Sequence, residues 1–165
     1  NYSLLLEGFS NIAKEFPDTR LEIYGEGPLK EELQNQIEEK KMEERVFLMG
    51  GCQNVLDRIY GARLFVMTSL YEGMPNALME AMSLGIPVLC SDCPCGGPRE
   101  LINPEVNGYL FNNNNTNDFV EKMKMILLEE NLKQVRQNEK EICITHSKEK
   151  IFSTWIQYIE DIYAK

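Results

Sequence analysis

The chain has 165 residues, 43% hydrophobic and 26% charged, with a formal net charge of −9 at pH 7. This length predicts one domain with a substantial core. The acidic balance, with no basic stripe, excludes a nucleic-acid backbone as partner, and no apolar run approaches the ~18 residues of a membrane span. No signal peptide is visible. The first residue is Asn1 rather than Met, inside what reads as a helix, so an excised piece of something longer is expected.

From about Tyr2 to Phe16, Leu4, Leu5, Phe9, Ile12, Ala13 and Phe16 recur at helical spacing, and Pro17-Asp18 ends the run. Leu21-Glu22-Ile23-Tyr24 reads as a short strand. Gly25-Glu26-Gly27-Pro28 follows, and a charged helix runs from Leu29 to about Lys41, with Pro28 well placed at its start. The Gly turn is not a nicotinamide fingerprint, because Lys30 stands where that motif needs its third Gly. It reads either as a ligand-contacting turn or as a plain one.

Arg45 to Met49 is the next strand, closed by Gly50-Gly51, and a modest helix runs through Val55 to Tyr60. Leu64-Phe65-Val66-Met67 has the length and residue types of a buried strand. The chain then turns at Glu72-Gly73-Met74-Pro75 and enters a helix that stops at Gly85, with Pro87 just beyond. A strand, a Gly/Pro turn and a helix put that turn at the carboxyl edge of a sheet, where open α/β sheets bind ligands.

At about 100° per residue, Ala77, Leu78, Ala81, Met82 and Leu84 share one broad face, while Met79 and Ser83 point away. Glu80 falls on the border, able to look along the rim towards whatever Glu72 sees. Carboxylates accept hydrogen bonds from hydroxyls, and free amides at a helix start donate to anions. A ligand combining sugar hydroxyls with phosphates suits both. The plain alternative is a surface turn and a solvated helix residue, the usual fate of Glu.

Strand Ile86 to Cys90 comes next, then the loop Ser91 to Gly97 and a short helix from Pro98 to Ile102. Cys90, Cys93 and Cys95 form a C-x2-C-x-C cluster. A zinc site needs about four ligands and the only His, His146, is far along the chain, so silent thiols in a reducing compartment are the simpler reading. Asn107-Gly108 turns into strand Tyr109 to Phe111. A low-complexity loop, Asn112 to Asn115, leads to a cap-like Thr116 or Asp118. Helices are expected from about Asp118 to Glu130, from about Leu132 to Thr145 and from Lys148 to Tyr163. The last carries Ile151, Trp155, Ile159 and Ile162 on one face. Alternating strands and helices imply an α/β fold with a doubly wound, mostly parallel, Rossmann-like sheet.

Glu72 and Glu80, with Gly73-Met74-Pro75 after the first, resemble the E-x7-E signature of family-4 (group 1) retaining glycosyltransferases. Leu4 to Phe9, Gly25 to Pro28, Phe47 to Gly50, Gly85 to Val88, Gly97 to Glu100 and Asn107 to Leu110 extend the resemblance in order. All belong to the C-terminal, donor-binding half of that two-Rossmann-domain GT-B fold. The resemblance implies that residues 1–165 form a single nucleotide-sugar-binding domain, truncated at its N-terminal edge and lacking the N-terminal acceptor domain.

It further implies transfer of a sugar from a UDP-, GDP- or ADP-sugar donor to a glycan or lipid-linked acceptor, with retention and without a metal or other cofactor. Glu72, the implied catalytic residue, would bind donor-sugar hydroxyls with help from the backbone amides of Gly73, Met74, Asn76 and Ala77, in a donor-binding turn that includes Pro75. Glu80 would accept from the ribose. Met49-Gly50 would lie against the base, and Gly25-Glu26-Gly27 would close over the donor. Arg99, the only cation near the cleft in sequence, either faces the diphosphate or is a solvated residue paired with Glu100.

The family's phosphate-binding Arg and Lys precede its first helix and are absent here, so weak nucleotide binding and no transfer by the chain alone are expected. Arg63 stands where the family usually has Asp. In the family the last helix crosses to the first half; here its stripe is expected to be exposed, giving dimers or disorder. A cytoplasmic protein, at the inner face of the membrane in its longer form, is implied. The alternatives are a non-catalytic nucleotide-binding or assembly domain of the same fold, and a signalling receiver, for which Asp92 stands at a strand end without the rest of the acidic cluster.

Overall fold

The first helix, α1 (Tyr2–Glu15), buries Leu4, Leu5, Leu6, Phe9 and Ile12 along one stripe, and the Asn1 side chain caps it by accepting the Leu4 amide. The computed structural model describes residues 1–129 and 132–163. After α1 come β1 (Leu21–Tyr24), α2 (Lys30–Glu39), β2 (Val46–Gly50), α3 (Val55–Ile59), β3 (Phe65–Met67) and α4 (Asn76–Ser83). The chain continues through β4 (Val88–Asp92), α5 (Gly97–Leu101), β5 (Tyr109–Asn112), α6 (Thr116–Leu128), α7 (Lys133–Glu139), α8 (Ile142–Thr145) and α9 (Lys148–Tyr163).

Every ladder among the described residues is parallel, as alternating strands and helices demand. The expected single sheet is divided. β1 pairs with β2, β4 sits between β3 and β5, and no ladder joins the two groups. One apolar layer nonetheless runs beneath all five strands, from Val46, Leu48, Leu21 and Ile23 to Val66, Leu89 and Phe111, covered by α1, α2 and α6. The opposite face of β3–β5, with Phe65, Met67, Val88, Cys90 and Leu110, is covered by α4, α5 and α8. Helices on both faces make the fold α/β and doubly wound, as the periodicity implies.

Gly8 shows how closely the helices approach. A Cβ there would lie 2.3 Å from the Phe119 ring, so only glycine lets α1 seat on α6. Phe119 in turn stacks at a tilt on Phe111 of β5, centroids 5.2 Å apart. Arg45, the residue before β2, closes the other end of α1. Its guanidinium donates to the carbonyls of Phe16 at 2.9 Å and of Thr19 at 2.7 Å, where helix ends leave carbonyls unpaired.

Several expectations need correction. The helix expected from Leu132 to Thr145 breaks into α7 and α8, because Lys140 and Glu141 form a turn whose amides bond back to Gln137 and Asn138. Neither Thr116 nor Asp118 caps α6; the Asn115 side chain does, accepting the Asp118 amide at 3.1 Å. The expected end of that helix at Glu130 lies outside the described residues. On α4, Leu78, Ala81 and Met82 are buried as expected. Ala77 is exposed because it lies in the first turn, beyond the covering elements, and Met79 packs partly on the core instead of pointing away. Arg63 donates to the carbonyls of Leu127 at 3.2 Å and Glu129 at 2.5 Å, so the departure from the family residue caps α6.

One charge-bearing group is wholly buried. Glu139 of α7 reaches under the sheet, where one carboxyl oxygen accepts the Val88 amide at 3.0 Å and the other has no partner. Burial pushes its carboxyl up to about 8, against smaller opposing effects of that amide and of Arg136. The folded state thus favours the protonated acid, so the contribution of this group to stability is fully present below the ordinary carboxylate range and is lost as pH rises through about 8. Glu139→Gln is expected to flatten this dependence. Between pH 5.5 and 8, urea melts of the parent should lose on the order of 3 kcal/mol more than those of the variant. Parallel losses in the two proteins would contradict the assignment.

Candidate functional site

The carboxyl ends of β1, β2, β3 and β4 carry the residues that the sequence singles out, on the two half-sheets. At the first pair, a bulge between Ile23 and Tyr24 shifts the register so that Tyr24 meets Gly50. The Gly25 amide bonds the Gly50 carbonyl at 2.9 Å, and both glycines take positive φ, 131° and 71°. Glu26 ties the same turn to β2 by accepting the Gly51 amide at 3.3 Å. Gly25, Glu26 and Gly27 are exposed, and so is Met49.

On the second half-sheet, β3 leads into the turn of Glu72, Gly73 and Met74, and Pro75 precedes α4. This helix has no side-chain cap, and the first amides that bond back to Pro75 are those of Leu78 and Met79. The amides of Asn76 and Ala77 therefore project free at the positive end of the helix. Glu72 is half-buried at this point; Glu80, one turn into α4, is exposed. Gly73, Met74, Asn76 and Ala77 are exposed and Pro75 is buried.

The turn is fixed from behind by residues that sequence reasoning missed. A Cβ on Gly97, at the start of α5, would fall 1.4 Å from the Gly73 carbonyl oxygen. The two backbones touch, and only glycine allows it. The Glu72 backbone lies against the Cys93 thiol, which burial pushes up and keeps protonated. Asn113 braces the preceding loop, donating to the Leu70 carbonyl at 3.2 Å while accepting the Ser91 hydroxyl at 2.9 Å. The C-x2-C-x-C and Asn-rich stretches are thus structural supports of the site. All five cysteines are free. A hint was present in the adjacent Gly96-Gly97, since a paired glycine after a strand signals close backbone approach.

The cation expected at the cleft is otherwise engaged. Arg99 donates through Nε to Asp92 at 3.0 Å and through a terminal nitrogen to the second Asp92 oxygen, a bidentate pair that raises the guanidinium's affinity for its proton. Its partner is Asp92, not Glu100. The arrangement therefore offers hydroxyl acceptors and free amides, with no uncompensated cation among the residues singled out.

Two cavities lie near the carboxyl edge of β4, the second touching the Glu72 turn through Cys93. One of about 510 Å³ runs between α5 and α8, bordered by Ile102, Asn107, Ile142 and His146. The other, about 360 Å³, is bordered by Asp92, Cys93, Arg99 and Asn113. Neither is lined by Glu72 or Glu80. No described helix is long and apolar enough to cross a membrane.

Gly97→Ala is expected to cost about 3 kcal/mol in urea unfolding, because backbone must move to admit the methyl group. Gly73→Ala, with nothing within 4 Å of the new atom, should cost under about 0.5 kcal/mol. Equal effects at both positions would show that the turn is not braced in this way.

Comparison with known proteins bears on the family and the fold. The family described as glycosyl transferases group 1 matches residues 1–142. The poly(ribitol-phosphate) alpha-N-acetylglucosaminyltransferase of Staphylococcus aureus is 32% identical over 158 residues, 93% of this chain and 31% of its own length. The lipopolysaccharide 1,6-galactosyltransferase of Salmonella typhimurium is 35% identical over 123 residues, 72% of this chain and 34% of its own. A solved structure of S. aureus TarM, a mutant in complex with fondaparinux, alpha-GlcNAc-glycerol and UDP, superposes with a TM-score of 0.88 at 31% identity, covering 95% of this chain and 32% of that one. The chain thus spans about a third of these relatives. With the family matched over most of its length and the GT-B neighbours sharing its fold, this chain belongs to the group 1 glycosyl transferases.

Proposed function

We propose that this domain holds the nucleotide-sugar donor of a retaining, family-4 sugar transferase. The observation that carries the reading is the uncapped start of α4, with the Asn76 and Ala77 amides free between Glu72 and Glu80. Those amides suit the diphosphate, and the two carboxylates suit hydroxyls. Glu72 receives the donor sugar, with Gly73 and Met74 beside it, and Glu80 the ribose. The base lies at Met49-Gly50, and the Gly25-Glu26-Gly27 turn covers the donor. In the reaction, the bond from the anomeric carbon to the phosphate oxygen breaks and one to the acceptor oxygen forms, the diphosphate leaving with the electron pair and taking up the proton of the acceptor hydroxyl.

The donor is a UDP-, GDP- or ADP-sugar; the UDP in the TarM structure makes UDP the first to test. The acceptor, a glycan or lipid-linked sugar, is held by a further domain of the longer enzyme. Backbone amides, rather than a metal ion, meet the diphosphate in this reading. Because Arg99 is paired with Asp92 and the neighbouring groups are acidic, the isolated chain binds nucleotide weakly and does not transfer sugar. The protein works in the cytoplasm, and any peripheral membrane association of the longer enzyme uses surfaces other than α9, whose polar side carries Glu149, Glu160 and Asp161. The engaged Arg99 also favours a second reading, a non-catalytic binding module on the same fold.

Titration with UDP, followed by amide NMR shifts, separates these readings from none at all. Millimolar-range binding that moves Gly50, Gly73, Asn76 and Ala77 is expected, and Glu80→Ala should weaken it about tenfold, the loss of one charged hydrogen-bond acceptor. Shifts confined to the groove by His146 would reject the site. In a longer polypeptide carrying this domain, Glu72→Gln should lower sugar transfer by about a hundredfold or more while nucleotide affinity holds; wild-type binding without any transfer would select the non-catalytic reading.

None of the residues of α9 is buried, and Ile151, Phe152, Trp155, Ile156, Tyr158, Ile159, Ile162 and Tyr163 occupy one arc of it. An apolar face of that width supports self-association of the chain through this helix. Light scattering should find a dimer that Trp155→Glu converts to monomer; a monomeric parent with an ordered helix would count against it.

A further inference from the structure

We propose that the two cavities form one track for a neutral, hydroxyl-rich glycan chain, running from the Glu72 turn over Arg99 to His146. It would hold the acceptor units that follow the reacting one, so the inference rests on the reading of the Glu72 turn as the donor site. The two spaces meet at a single side chain, Arg99, which borders both. At one end Cys93 and Gly96 line the smaller cavity, and the Cys93 thiol lies against the Glu72 backbone. At the other, α8 and its flanks supply Glu141, Ile142 and His146 to the larger one. Volumes of about 510 and 360 Å³ each fall in the range of about 300–1,000 Å³ that small ligands occupy, so together they suit several linked rings.

The walls are held in advance of any ligand. Asn107 accepts the Asn103 amide at 2.6 Å and donates to the Leu101 carbonyl at 3.1 Å, which fixes the loop between α5 and β5. Asn113 is held as firmly between Ser91 and Leu70. Leu101, Ile102 and Ile142 line the larger cavity and are themselves buried, an apolar floor for the C–H face of a ring.

The polar groups left over are mostly acceptors. Glu100 and Glu141 border the larger cavity, and their side chains make no hydrogen bond or ion pair among the described residues. The Thr145 hydroxyl gives its single proton to the Glu141 carbonyl at 3.1 Å, so at 3.0 Å it accepts from His146 Nδ1. Neutral His146 then carries a lone pair on Nε2, a third acceptor. At the junction, the bidentate pair of Asp92 and Arg99 presents acceptors and donors side by side. Hydroxyl groups, which donate and accept at once, satisfy such a set; a ligand that only accepts does not. Charge points the same way. Three carboxylates, of Asp92, Glu100 and Glu141, border the track against one guanidinium, so a chain bearing phosphates or carboxylates meets net repulsion.

Amide NMR of the chain titrated with maltotriose, a neutral trisaccharide, tests this. Millimolar-range binding should move Cys93, Gly96 and Asn113 together with Asn107, Ile142 and His146, with one affinity for both sets. UDP added afterwards should move Gly73, Asn76 and Ala77 and leave the first shifts in place. Arg99→Ala should abolish the shifts at both cavities. Glu141→Ala removes a side chain that caps nothing, so it keeps the test decisive even where Arg99→Ala fails to fold; it should weaken maltotriose about tenfold. Trigalacturonate, a carboxylate-bearing trisaccharide, should bind at least about tenfold more weakly than maltotriose. An absence of shifts, shifts at one cavity alone, displacement by UDP or tighter binding of trigalacturonate would each overturn the track. If UDP moves nothing while maltotriose still shifts both cavities, the donor reading fails and the track stands as a glycan site.

Discussion

The geometry of the acidic pair depends on one contact between main chains. Gly97 lies so close to the Gly73 carbonyl that no side chain fits between them, and this contact locks the turn after β3 to the start of α5. Glu72 owes its half-buried position to that lock and to the Cys93 thiol behind it. Asn113 adds a third support by spanning from β4 to the loop at Leu70. A flexible turn would lose orientation for its carboxylate; here the turn is held by backbone and amide contacts that carry no charge, leaving the carboxylates free for a ligand.

The guanidinium groups are spent on the frame. Arg45 closes the end of α1, Arg63 the end of α6, and Arg136 donates to the Gly85 carbonyl past the end of α4. Each sits where a helix presents unpaired carbonyls and the negative end of its dipole. Arg99 is held by Asp92. In a chain of net charge −9, these cations stabilise the frame. In the proposed donor site, affinity for a diphosphate would then come from backbone amides, each a modest contributor.

Much of this arrangement was legible in the sequence, for identifiable reasons. β1 from Leu21 to Tyr24 and α9 from Lys148 to Tyr163 have the bounds that periodicity and punctuation give them. The strand–turn–helix around Glu72 was equally plain, because Gly73, Pro75 and Gly85 mark its ends. What stayed hidden were contacts between distant segments. Nothing local announces that Asn113 bonds Leu70, that Glu139 reaches Val88 or that Arg99 prefers Asp92 to a neighbour on its own helix. The break between α7 and α8 escaped notice because Lys140 and Glu141 are good helix formers, so their propensity masked a turn set by tertiary packing.

The two strand groups are tied by what lies beneath them rather than by hydrogen bonds. Gly25, Met49 and Gly50 ride on the β1–β2 pair, while Glu72 and Glu80 ride on β3 and α4, with no ladder between the groups among the described residues. One apolar layer runs under both. A void opened at Leu6 or Phe9 would therefore loosen both groups at once, because a close-packed interior transmits strain.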